Sequence, residues 1–229
     1  MLQPFGERIW ITDGPVATVA GFRYPTRMAV IALASGKLFV WSPVALTPEL
    51  RRATDALGEV AHLVAPNALH HLFLADWAAA YPGARLHGAP GLAARRKDLA
   101  FDAELGAGPD PAWAEDLDQT LFAGNAITTE AVFFHRPSRT AIFTDLLQQF
   151  PPGWFRGWRA AIARLDRMTG AEPQVPQKFR LAFTDRAAAR PALAHILAWP
   201  AEQVLMAHGE PVRSDGQAFL ARAFAWLKP

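Results

Sequence analysis

Residues 60–65 (VAHLVA) make a short, almost unbroken apolar run that Pro66-Asn67 ends. A run of strand length without polar alternation needs cover on both faces, as strands in helix-flanked parallel or mixed sheets have. The flanking signals agree. Upstream, Thr47-Pro48-Glu49 reads as a helix start, because Thr caps free amides, Pro suits the first turn and Glu complements the dipole. Gly58 ends that helix. Downstream, a helix is predicted over residues 70–81, stopped by Pro82-Gly83, and a short strand over 85–88 (RLHG). Strand–helix–strand order predicts right-handed crossovers and parallel pairing. The chain is thereby constrained to an α/β class.

The remaining segments add hairpins. Residues 8–12 (RIWIT) predict a first strand ended by Asp13-Gly14-Pro15. Residues 27–34 and 37–42 predict a hairpin about Ser35-Gly36. Residues 91–98 suggest a short basic helix and 102–115 a surface loop. Residues 128–134 and 139–144 predict a second hairpin turning at His135-Arg136-Pro137-Ser138. Residues 154–168 predict an amphipathic helix with Trp154, Trp158, Ile162 and Leu165 on one face, expected to pack inward. Residues 169–178 read as loop, 186–199 as helix capped by Asp185, 203–206 as the last strand and 217–227 as the last helix. Hairpins mixed with parallel units favour one domain, residues 1–229, built as an αββα sandwich of two mixed sheets flanked by helices.

Composition excludes several classes. Hydrophobic residues make up 51% and charged residues 19% of the chain, which suits a globular protein with a sizeable core. A formal charge of +2 gives no reason to expect nucleic acid as a partner. The chain has no Cys, so disulfides, thiolate metal sites and Cys nucleophiles are ruled out. No basic-then-apolar leader and no membrane-length apolar run are present, so a cytoplasmic protein is expected.

Three strands end in polar chemistry: residues 60–65 run into His70-His71, 140–144 into Asp145, and 203–206 into Ala207-His208-Gly209. Ligands bind outside the carboxyl ends of strands in open α/β sheets, so His70, His71, Asp145 and His208 are expected to converge. This order of elements, with APNALHH, FFHRPSRTAIFTDLL and QVLMAHGEPV at those ends, resembles the metallo-β-lactamase fold superfamily. More narrowly it resembles a bacterial domain-of-unknown-function branch of it. Against the superfamily's THxHxDH pattern, the two His of the first metal fall on Pro66 and Ala68, the Asp on His70 and the last His on His71. A further first-metal His falls near Ala126. The bridging Asp matches Asp145 and the late His matches His208. The resemblance therefore implies one divalent ion rather than two, held by His70, His71, Asp145 and His208. Three imidazoles and a carboxylate suit Zn²⁺ first, with Fe²⁺ or Mn²⁺ as alternatives. It implies either a mononuclear hydrolase or a non-catalytic, ligand- or partner-binding descendant that has lost its metal.

His135, Arg136 and Arg139 are candidate contacts for an anionic small-molecule substrate, since Arg offers a bidentate fork. His135 with Ser138 invites a nucleophile reading, which the missing G-x-S-x-G elbow opposes. Glu130 and Asp76 are general-base candidates wherever the fold brings them close. The arginines of residues 154–168 leave a peripheral membrane role for that helix as a further alternative. His62, His87 and His195 receive no role.

Overall fold

The structure is a computed structural model, and residues 1–227 are described. Among the described residues, eleven strands form two sheets. The larger sheet runs in chain order through β1 (Gln3–Gly6), β2 (Ile9–Val19), β3 (Phe22–Ala32), β4 (Lys37–Trp41), β5 (Glu59–Ala65), β6 (Arg85–Gly88) and β7 (Ala103–Glu104). The smaller has the order β11-β10-β9-β8, built from β8 (Leu117–Phe122), β9 (Glu130–His135), β10 (Thr140–Gln148) and β11 (Gln203–His208). The helices are α1 (Pro48–Asp55), α2 (Leu74–Ala80), α3 (Leu92–Arg95), α4 (Trp158–Leu165), α5 (Gln177–Ala182), α6 (Arg186–Ala198) and α7 (Gly216–Ala223).

The apolar pattern of β5 is explained by its two faces. Val60, Leu63 and Ala65 pack with Leu50 of α1, Leu74 and Trp77 of α2 and Leu92 of α3, while Val64 joins the core between the sheets. That inner core also holds Phe39, Trp41, Phe133, Ile142 and Leu205. On the far side of the smaller sheet, Phe134, Phe143, Val204 and Met206 pack on Phe179, Leu193, Ile196 and Leu220 of α5, α6 and α7. Alternate residues of β11 thus enter opposite cores, as the two-residue period of a strand requires. The expected αββα layering is present, with β4–β5 and β5–β6 parallel.

Several local expectations need correction. β2 does not end at Asp13-Gly14-Pro15 but continues to Val19, because a register shift between Gly14 and Ala17 lets the ladder pass Pro15. No helix starts at His70; the chain turns there, and α2 begins at Leu74. α4 is shorter than expected, and its apolar face points outward: Ala163 is its buried residue, whereas Trp158, Ile162 and Leu165 are exposed. Trp154 instead lies across Phe150, donating its indole N–H to the Arg23 carbonyl at 2.8 Å.

Candidate metal centre

Parallel pairing brings the ends of β10 and β11 side by side, so Asp145 and His208 emerge at one sheet edge. β10 leaves register with β11 between Phe143 and Gln148, and its pairing with β9 ends at Ile142. The freed amides find another acceptor. Glu130, fully buried on β9, takes the N–H of Thr144 at 2.7 Å, of Asp145 at 2.8 Å and of Leu146 at 3.1 Å. A carboxylate thus replaces the missing ladder partner and sets where Asp145 leaves the strand.

Asn67 joins that edge to β5. Its amide donates to Asp145 Oδ2 at 2.7 Å and to Thr144 Oγ1 at 2.8 Å. Its side-chain carbonyl accepts from the N–H of Leu69 and of His70, both at 2.9 Å, an Asx turn that curls the chain after Pro66. His70 is thereby swung over β10. Its Nε2 lies 3.3 Å from Asp145 Oδ2 and 3.2 Å from His208 Nε2, and His208 Nε2 lies 3.4 Å from Asp145 Oδ1. Ligand atoms of all three residues fall within 4.8 Å of one another.

The outward-facing ring nitrogens are also held. His208 Nδ1 donates to the Pro25 carbonyl at 2.6 Å, which puts the neutral ring's lone pair on Nε2, facing the cluster. His70 Nδ1 meets Ser42 Oγ at 2.8 Å. A hydroxyl can donate or accept, so this contact serves either tautomer of His70. Ser42 holds a left-handed backbone (φ 51°), a conformation that costs a non-glycine residue energy and occurs disproportionately at functional sites. Behind His208, the buried Arg27 guanidinium donates to the Met206 carbonyl at 2.9 Å and to the Gly209 carbonyl, clamping the strand end.

Burial pushes the Asp145 carboxyl up, but the imidazoles of His70 and His208 outweigh it and hold the group well below the usual carboxylate range. Burial and the neighbouring Asp145 push Glu130 up. One carboxylate thus faces two imidazole nitrogens, and a second, less acidic one stands behind it.

The other expected site residues lie elsewhere. His71 is not in the cluster: Arg96 Nη1 donates to its Nδ1 at 2.8 Å and to its carbonyl at 2.9 Å. Burial and then the Arg96 charge lower its pKa. His135, Arg136 and Arg139 sit at the other end of the smaller sheet, because β9 and β10 are antiparallel and Asp145 is five residues beyond Thr140, roughly 16 Å. They therefore lie away from the His70–Asp145–His208 cluster rather than converging with it. Arg139 pairs with Glu202 and Arg136 lies 3.6 Å from Asp118, while His135 is buried against Ser138 at 2.7 Å. Asn67 and Ser42 were missed by the sequence reading. The Asn between Pro66 and the His pair was a usable Asx-turn signal, whereas nothing local marks Ser42.

Two sheets packed face to face and flanked by helices form a metallo-β-lactamase-like fold, and solved structures agree. A metallo-β-lactamase from Pontibacter korlensis superposes with a TM-score of 0.64 at 13% identity, covering 99% of this chain and 98% of that one. The FIM-1 metallo-β-lactamase from Pseudomonas aeruginosa, in its mono-zinc form, gives 0.63 at 12% identity, covering 100% and 96%. A metal-soaked Flv1 flavodiiron core from Synechocystis gives 0.63 at 13% identity, covering 99% and 60%. The chain belongs to the family described as Domain of unknown function (DUF4336), whose model matches residues 6–155. No curated protein matches it.

Proposed function

We propose that the protein is a mononuclear metal-dependent hydrolase in which His70, Asp145 and His208 hold one divalent ion. The observation that carries this reading is the mutual approach of His70 Nε2, His208 Nε2 and Asp145 within 4.8 Å. Two imidazole nitrogens and a carboxylate suit Zn²⁺ first and Fe²⁺ or Mn²⁺ next. Three protein ligands, rather than the four expected from the sequence, leave a coordination position open, as catalytic sites require. A bound divalent ion would supply Lewis acidity toward a carbonyl or phosphoryl oxygen and acidify water.

The chain's own residues then have separate tasks. Asp145 supplies the negative charge that holds the ion. The Pro25 carbonyl fixes the His208 tautomer, Ser42 accepts the His70 Nδ1 proton, and Asn67 and Glu130 fix where His70 and Asp145 stand. Ser42, His70, Asp145 and His208 help line a cavity of about 960 Å³ that would receive the substrate. We take residues 1–229 to act as one domain. No helix among the described residues is long and apolar enough to cross a membrane, and the proposed setting is cytoplasmic.

Elemental analysis of protein purified without chelator tests the metal, with one equivalent expected. A panel of ester, amide and phosphoester substrates tests the chemistry. Metal far below one equivalent that added Zn²⁺, Fe²⁺ or Mn²⁺ does not raise would reject the reading. So would turnover that persists in Asp145→Ala and His208→Ala.

A further inference from the structure

The cavity above the His70–Asp145–His208 cluster has an unusual wall. Single exposed hydrophobic side chains are ordinary on a protein surface, but a contiguous set rimmed around a concavity marks a binding site. Here Val19 from the β2–β3 hairpin tip, Leu72 from the loop before α2, Ile127, Ile162 and Leu165 of α4, and Leu181 of α5 are all exposed, and all line this one cavity. They come from five separate segments, so the concentration does not follow from any one amphipathic helix. It also accounts for the outward-facing apolar side of α4.

The three candidate metal ligands are placed apart from this wall. Lys178 and Asp166 also line the cavity, and they are paired with each other at 3.1 Å, so that lysine is already neutralised. Asp145, His70 and His208 are collected at the deep end, beneath the apolar wall. Thr18, Thr26, Gln148 and Gln177 also belong to the lining, but most of its surface is apolar, which suits an aliphatic ligand better than a sugar, nucleotide or peptide. A ligand matching this arrangement is polar at one end and aliphatic along its length.

Resting on the hydrolase reading above, we propose that the site takes a monomeric aliphatic-chain ester or acyl compound. Its carbonyl lies toward His70, Asp145 and His208, and its chain lies between the hairpin tip and α4–α5. The Ile, Leu and Val side chains displace water from the chain, and each added methylene strengthens binding until the cavity is filled.

The experiment uses metal-free full-length protein and straight-chain primary alcohols from hexanol to dodecanol, measured by displacement of anilinonaphthalene sulfonate. Neutral alcohols need neither the ion nor turnover. The dissociation constant should fall about fourfold per methylene. Ile162→Asp and Leu181→Asp, at positions 42% and 72% exposed, should keep the fold by circular dichroism and weaken dodecanol at least tenfold. His208→Ala should leave the chain-length slope intact while abolishing metal uptake, so failure of the hydrolase reading and failure of this one are distinguishable. A flat series, or a slope that survives both Asp substitutions, overturns the proposal. So would a flat series together with binding to phosphatidylcholine–phosphatidylglycerol vesicles that Leu165→Asp removes, which would make the rim a bilayer contact.

Discussion

His70 and His208 face one another through their Nε2 atoms at 3.2 Å, with Asp145 in reach of both. With the His208 Nδ1 proton committed to the Pro25 carbonyl, two lone pairs facing one another across the Nε2 atoms would be repulsive, so either a ring proton or a cation must lie between them. Metal binding should therefore displace that proton. We expect His70→Ala or His208→Ala to weaken Zn²⁺ binding at least a hundredfold in competition with a chromophoric chelator. His71→Ala should change it less than about fivefold, because His71 is held by Arg96 outside the cluster. Saturating metal at about a thousand times its dissociation constant should add about 4 kcal/mol to wild-type stability. At the same metal concentration that increment should fall to about 1.4 kcal/mol or less in His208→Ala.

Asn67 makes a different prediction, since one buried amide ties both ligand-bearing segments together. Asn67→Ala would free the His70 loop and leave an Asp145 oxygen without its 2.7 Å donor. The expected cost is about 2–3 kcal/mol in urea denaturation. Metal affinity should fall roughly tenfold to a hundredfold, as for other residues that orient ligands. Asn67→Asp should do worse on metal-free protein, because it sets a second carboxylate against Asp145. Unchanged metal affinity in Asn67→Ala would show that the loop holds His70 without it.

Glu130 separates positioning from ligation. It touches no proposed ligand side chain directly, yet it accepts the backbone N–H of Asp145 itself. Glu130→Gln must turn an NH₂ toward one of the three amides, at a cost of about 1–3 kcal/mol. Glu130→Ala leaves all three unsatisfied and should cost more. In the hydrolase reading, Glu130→Gln lowers metal affinity without removing a ligand, and high metal concentration should restore occupancy and turnover together. Turnover that stays low at full occupancy would instead assign Glu130 a part in the chemistry.

How much of this was legible depended on range. The β5 run, the capped α1 and the parallel order could be read because each signal is local, and the strand ends therefore pointed to His70, Asp145 and His208. Choosing between His70 and His71 could not be local. A helix starting at His70 would have splayed the two rings, whereas the Asn67 turn turns His70 alone inward and leaves His71 to Arg96. Asn67 and Glu130 owe their roles to partners 78 and 15 residues away. The misplacement of Arg136 and Arg139 was avoidable, since a hairpin turn lies at the opposite strand end from Asp145. The α4 face failed for another reason: amphipathicity shows that a face is apolar, not whether the fold or a ligand covers it.

A second histidine pair makes the stability sensitive to acid. His62 Nδ1 and His87 Nε2 meet at 3.1 Å on neighbouring strands, under Trp113 and Phe39. Burial, with His62 and Arg85 beside it, brings His87 from 6.5 down to about 4, against weaker pulls from Asp110 and Asp102. Burial also lowers His62, with Asp110 opposing and Arg85 and Lys37 adding to the shift. Between the two His87 values the unfolded chain binds the proton and the folded one does not, so stability rises with pH there. It is fully present above about pH 6.5 and drains away as pH falls toward 4, by about 2–3 kcal/mol from His87. Urea denaturation of metal-free protein at pH 7.5 and pH 5 should show this loss. His87→Gln, which can still donate to His62, should be less stable at pH 7.5 but visibly flatter between the two values. An equal pH dependence in the variant would move the effect from this pair to His135, whose pKa burial also lowers to about 4.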